Sequence, residues 1–294
     1  MSKINIVRYS GNGYPHYDNS FRNSPALQLN ESLNASFLDT VLTTQLIHAI
    51  QANNVLDFGC YLGALPLFVE DLLTSGLSEH SLKSAWTLID NFAFLKDLNY
   101  TLTDPSHKPY YFNTFDSKSI WQNLSADKKE ILVSPPTNPA ELFNMLARMA
   151  NANNAPLPKF KNGYTAIDDC NDTFDFISYD LSAGHFNFDI LSKCVYNKLN
   201  DKGIIILDDV KPAHPQQMAV FHHALNQLPI YPVAFSKGKV ALMKVNSLEE
   251  KDSYLTNVIF PRLHVFDGYQ RPGNFYGWEK ITNPIFGKVI SLIE

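Results

Sequence analysis

Val55-Leu56-Asp57-Phe58-Gly59-Cys60-Tyr61-Leu62-Gly63 decides how this chain is read. Two apolar residues, an acid and Phe58 form a short buried strand. Gly59 lets the chain turn sharply, and Gly63 lets a helix begin close to whatever lies at the turn. Asn53 and Asn54 precede the strand, and Leu65, Leu67, Phe68, Leu72 and Leu73 follow at helical spacing. A strand, a tight turn and a helix present backbone N–H groups at the carboxyl edge of a parallel sheet, where α/β proteins bind ligands.

The neighbouring stretches support a sheet of this kind. A helix is expected from Ser36 to Gln51, with Asp39 three residues after Ser36 as a capping signal and Phe37, Val41, Leu42, Leu46 and Ile50 on one face. Ser84–Asp90 reads as a second strand that ends on an acid. Thr173–Asp180 is another, followed by the loop Leu181-Ser182-Ala183-Gly184-His185 and a helix over 186–199. After the turn Asn200-Asp201-Lys202-Gly203, Ile204–Asp209 is a fully buried strand ending on two acids. A helix fits 215–227, with Pro215 in its first turn. Ile230–Phe235 and Val240–Val245, joined by Ser236-Lys237-Gly238-Lys239, read as an antiparallel hairpin.

Alternating strands and helices indicate a parallel sheet. Because all parallel strands end at one edge, Asp57, Asp90, Asp180, Asp208 and Asp209 are expected to converge there. Residues 91–165 fit the alternation poorly. Helices at 91–98 and 138–150 and a short strand at Ile131-Leu132-Val133 are the readable pieces, so an insertion is expected at about 100–160. The organisation that follows is an arm and helix over 1–50, a ligand-binding core over 51–246, and an aromatic extension over 247–294. In the extension, Glu249-Glu250-Lys251-Asp252 reads as solvated. Phe260, His264, Phe266, Tyr269, Arg271, Phe275, Tyr276 and Trp278 are expected to cap a pocket, pack on the core or form a subunit interface, so a homo-oligomer is open.

Composition narrows the function. The 294 residues are 45% hydrophobic, enough for a full core, and the formal net charge is −5. The absence of a basic run argues against a nucleic-acid groove. Cys60, Cys170 and Cys194 have neither disulfide nor zinc spacing. With neither a signal core at the amino terminus nor an apolar run of bilayer length, a cytoplasmic enzyme with no membrane partner is expected.

The pattern apolar-apolar-Asp57-x-Gly59-x-x-x-Gly63, the acid Asp90 and the closing hairpin together resemble the class I S-adenosylmethionine-dependent methyltransferases. The resemblance covers about 50–246. It implies a Rossmann-like α/β fold: a mostly parallel seven-stranded sheet with a C-terminal antiparallel hairpin and helices on both faces. It assigns cofactor binding to Asp57, Gly59, Cys60, Tyr61, Gly63, Asp90, Asn91 and Asp180, with Asp90 accepting the ribose hydroxyls. Tyr179–His185 and Leu207-Asp208-Asp209-Val210 resemble the metal-dependent small-molecule O-methyltransferases of macrocin and cephamycin biosynthesis. That likeness implies Mg²⁺ held by Asp180, Asp208 and Asp209, a hydroxyl-bearing small-molecule acceptor, and His185 with Asp180 as catalytic residues. The loop after Asp180 departs from those relatives, since it has Leu-Ser-Ala-Gly where they usually carry a second acid.

Three alternatives stand beside this reading. Ser134-Pro135-Pro136 resembles the target-amine motif of amino-methyltransferases acting on nucleic acid or protein, although Thr137 stands where an aromatic is usual. A NAD(P)-dependent oxidoreductase shares the layout but not Tyr61 in place of the middle glycine. A non-catalytic cofactor-binding subunit would keep the fold alone.

Overall fold

The structure is a computed structural model. It describes residues 37–60, 65, 69, 84–90, 159–181, 184–236, 238–263, 269–271 and 274–293. Helix α1 (Phe37–Ile50) and strands β1 (Asn54–Phe58) and β2 (Ala85–Asp90) fall where the periodicity puts them. Leu65 and Val69 are helical, as the motif requires. Tyr61, Gly63, Asn91, Ser134-Pro135-Pro136 and the elements expected between 91 and 150 lie outside the described residues.

The strand beside β2 is β3 (Lys159–Asn162), which runs parallel to it. Its sequence, Lys-Phe-Lys-Asn, carries one apolar residue, so periodicity does not reveal it. Then come β4 (Phe174–Tyr179), α2 (Phe188–Lys193), β5 (Leu199–Leu207), α3 (Pro215–Gln227), β6 (Ile230–Phe235) and β7 (Val240–Lys244). Asn187 caps α2 by accepting from the Ile190 N–H at 3.0 Å. The helix ends in a wide turn at Cys194–Lys198. Strand β5 begins five residues before its apolar run. Leu199 pairs with Phe174, the register then shifts, and Lys202 takes up a φ of 63°. The expected turn at 200–203 is therefore an irregularity within the strand pairing.

The sheet order is β3-β2-β1-β4-β5-β7-β6-β10-β9-β8. Strands β1 to β5 are mutually parallel, and β7 is antiparallel to both β5 and β6. The first seven strands thus form the expected mostly parallel Rossmann-like sheet closed by an antiparallel hairpin.

The tail requires a correction. Beyond α4 (Leu248–Tyr254), it forms β8 (Tyr269–Arg271), β9 (Asn274–Asn283) and β10 (Gly287–Ile293), so among the described residues the sheet has ten strands, three more than the seven expected. Strand β10 pairs in parallel with β6, through Ile290↔Ala234 and Ser291↔Phe235. Lys251, read as solvated, is fully buried. Its ammonium donates to the Phe286 carbonyl and to the Lys288 carbonyl at 2.6 Å, and it lies 2.9 Å from Asp252. The turn between β9 and β10 and the start of β10 supply those carbonyls, which is why a local charge run gave the wrong environment.

Two cores flank the sheet. Val55, Ile204 and Ile206 face one, with Leu42, Leu46 and Ile47 of α1 and Leu255, Ile259 and Ile290 of the tail. Leu56, Phe58, Ile205 and Leu207 face the other, with Leu191, Val195, Phe221 and Ala224. Each such apolar side chain, fully buried, contributes about 1.5–3 kcal/mol relative to exposure. Strands buried on both faces read as continuous apolar runs, hence the Ile204-Ile205-Ile206-Leu207 run in the sequence. No described helix is long and apolar enough to cross a membrane.

Candidate active site at the carboxyl edge of the sheet

Backbone hydrogen bonds just past the strand ends fix the edge. The Gly59 N–H donates to the Ile89 carbonyl at 2.8 Å, the Asp180 N–H to Phe58 at 2.8 Å, and the Asp208 N–H to Tyr179 at 3.1 Å. The Gly163 N–H closes the row on the Asp90 carbonyl at 2.7 Å. Gly59 has a φ of 90°, and a Cβ added there would lie 1.8 Å from the Asp180 carbonyl oxygen. Only glycine fits where the turn after β1 passes the end of β4.

Asp57 and Asp90 are both buried at the ends of β1 and β2. Burial pushes the Asp57 carboxyl up to about 7. Ser178, hydrogen-bonded to it, and Lys239 pull it down, while Asp90 raises it further. One Asp57 oxygen is buried with no hydrogen-bond partner among the described residues. Such an oxygen is costly unless a donor or a cation reaches it. Burial, followed by the charges of Asp57 and Asp90, also raises the Cys60 thiol well above its usual range.

Tyr164 belongs to this site, and sequence reasoning missed it. It opens a single 3₁₀ turn after β3, at Tyr164–Ile167, following Gly163 with its φ of 89°. Its hydroxyl is hydrogen-bonded to Asp90, and burial and then the Asp90 charge raise its pKa. Its ring meets Phe58 edge-on at 5.8 Å and His185 at 4.7 Å between centroids. His185 itself is exposed in the loop after β4. Tyr164 thus bridges the acid at the end of β2 and the candidate base. The one local signal for it was Gly163, which announces a turn.

The other half of the edge is built from Asp180, Asp208 and the hairpin. Asp180 is exposed as a residue. Even so, protein packed around its carboxyl, and next the Asp208 charge, hold that carboxyl well above the usual range. For Asp208, burial opposes the charge, but Lys239 and the hydrogen bond from Asp180 overcome it and hold the carboxyl below its ordinary value. The two carboxyls are therefore pushed apart, Asp180 towards its neutral form and Asp208 towards its charged one. Asp208 Oδ2 lies 2.8 Å from Lys239 Nζ, and its Oδ1 accepts the Asp209 N–H at 2.8 Å.

Asp209 does not join them. With a φ of 57°, its carboxylate faces Lys211 at 2.7 Å and His214 Nδ1 at 3.4 Å. Asp180 and Asp208 come together as expected, and Asp209 points elsewhere. Among the described residues no group of three or more His, Cys, Asp or Glu side chains is arranged to hold a metal ion. This donor set does not fit a divalent cation, because one of its acids serves Lys211 and another is engaged by Lys239.

No protein-family model matches the chain, and no curated protein does. Among solved structures, the chain is similar to a putative caffeoyl-CoA O-methyltransferase from Staphylococcus aureus. The two are 13% identical over 78% of this chain and 93% of that one, with a TM-score of 0.46. It is also similar to a Podospora anserina methyltransferase solved with SAH bound, at 11% identity over 78% and 89% and a TM-score of 0.45. A third is the O-methyltransferase TomG of Streptomyces achromogenes, involved in tomaymycin synthesis and solved with SAM, at 12% identity over 79% and 93% and a TM-score of 0.44.

Proposed function

We propose that this protein is an S-adenosylmethionine-dependent methyltransferase acting on a hydroxyl group of a small molecule. The observation that carries the proposal is the buried Asp57, whose unpartnered oxygen sits with Asp90 at the turn around Gly59. A buried oxygen of that kind fits a ligand bearing positive charge and N–H donors. An amino-acid sulfonium has both, whereas a dinucleotide would bring an anionic pyrophosphate against Asp57, Asp90 and Asp180. The antiparallel β7 also favours the methyltransferase layout over the dinucleotide-binding one.

When bound, the cofactor supplies a methyl group made electrophilic by its positive sulfur. The chain's own residues do the rest. Asp57 takes a donor from the amino-acid end, and Asp90, held by Tyr164, accepts the ribose diol. The close passage at Gly59 lets the backbone reach the ligand. His185, held against Tyr164 at the mouth, accepts the proton of the acceptor hydroxyl. Holding acceptor and methyl group in line contributes up to about 7–11 kcal/mol towards the barrier.

The test is calorimetric titration of S-adenosylmethionine into the wild type and Asp90→Ala, with NADH titrated as a control. Binding by the wild type that falls at least about tenfold in the variant, with no NADH binding, is expected. A folded wild type that takes NADH and ignores S-adenosylmethionine would overturn the proposal.

A further inference from the structure

The sequence led to a divalent cation between the acids that end β4 and β5, and the structure has a lysine there. We propose that the Lys239 ammonium is the resident cation of this half of the site, so that it works without a divalent metal. The consequence for the acceptor rests on the methyltransferase reading above: its oxygen meets an ammonium.

Several contacts build Lys239 into position. It closes the turn between β6 and β7. The Ser236 N–H donates to the Lys239 carbonyl at 2.9 Å, and the Lys239 N–H donates to Ser236 Oγ at 3.1 Å. The same turn is tied to the end of β5, because the Val210 N–H donates to the Gly238 carbonyl at 2.9 Å. The backbone therefore carries Lys239 to Asp208 and does not leave the meeting to a flexible side chain. The pair is well shielded, at 16% exposure for Lys239 and 24% for Asp208. Asp208 has one oxygen on this ammonium and the other on the Asp209 N–H. Asp209, the third acid a metal would need, is committed to Lys211 and His214.

Two adjacent carboxyls need a positive charge between or beside them. With an internal ammonium the need is met by the chain itself. Once the ammonium is removed, Asp180 and Asp208 become an oxygen-rich, undercompensated pair of the kind that attracts a hard cation.

Mn²⁺ alone, followed by the electron paramagnetic resonance of its free form, tests this on the full chain without cofactor. Wild type, Asp208→Asn, Lys239→Met, Lys239→Arg and Lys239→Met/Asp208→Asn would be compared. The wild type is expected to leave about 0.1 mM Mn²⁺ free. Lys239→Met should bind it at least about tenfold more tightly, Lys239→Arg should behave as wild type, and the double variant should lose the gain. Tight Mn²⁺ binding by the wild type that Asp208→Asn abolishes would overturn the proposal, as would a folded Lys239→Met that gains none. If Lys239→Met does not fold, the wild type and Asp208→Asn still decide. Because these readouts use no cofactor, loss of the methyltransferase reading would show separately, in the calorimetric titration.

Discussion

The two halves of the sheet edge treat their acids in opposite ways. At the ends of β1 and β2, Asp57 and Asp90 are buried, and an Asp57 oxygen is left without a partner among the described residues. At the ends of β4 and β5, the Asp208 charge helps to raise the Asp180 carboxyl, and Asp208 itself lies against Lys239. One half waits for a charge from outside, whereas the other carries its own. On the function proposed above, the half short of partners takes the cationic cofactor, and the half already compensated handles the neutral acceptor.

The largest expected effect comes from joining the halves where they touch. Gly59→Ala places a methyl group into the Asp180 carbonyl and a side chain at a φ of 90°. The backbone conformation alone costs about 1–2 kcal/mol, before the overlap. The expected result is loss of folded protein or a drop of about a hundredfold in cofactor affinity, read by calorimetry. Unchanged binding would mean that the halves do not meet at this turn.

Asp57→Asn tests whether the first half is truly uncompensated. The Asp57 carboxyl is raised from 3.8 to about 7 in the folded chain, chiefly by burial. Between those values the folded state holds a proton that the unfolded chain has released. Its contribution to stability is therefore complete below about pH 4 and is lost as the pH rises through about 7. Denaturant titrations should show wild-type stability falling over that window and a flatter profile for Asp57→Asn. Cofactor binding should move the other way, strengthening up to about tenfold per unit as Asp57 ionises.

Tyr164→Phe removes only the hydroxyl on Asp90 and keeps the ring beside His185. A loss of about 1 kcal/mol, or roughly fivefold in cofactor affinity, is expected. A fall in turnover with unchanged affinity would place Tyr164 with the base instead. The smallest effect belongs to Asp209→Asn. Its ion pair with Lys211 is partly exposed and contributes about 0–1 kcal/mol, and asparagine tolerates the left-handed backbone. Cofactor binding should stay within about twofold of wild type; a larger loss would return Asp209 to the site.

What could be read from the sequence follows from how locally each feature is determined. The acids Asp57, Asp90, Asp180 and Asp208 were legible because each ends an apolar run that the sheet must bury, and parallel strands end together. Asp209 shared that signal but not the outcome, since a single left-handed residue turns its side chain towards Lys211. Lys239 looked like an ordinary turn residue, as its partner lies a helix and a strand earlier in the chain. Lys251 sat in a run of charges, and its carbonyl partners come from a turn and a strand more than thirty residues further on. Tyr164 and β3 lay in a stretch where polar residues hide the pattern, because an edge strand needs little apolar surface.

Pairing of β10 with β6 also bears on solubility. Without the last strands, β6 would be the outer strand of the sheet, with open backbone donors and acceptors over Ile230–Phe235. Pro232 lacks one of those donors, which blunts such an edge without closing it. A chain shortened at residue 246 would therefore offer a β-rich, apolar template to its neighbours, and its failure would appear as aggregation rather than as a damaged active site.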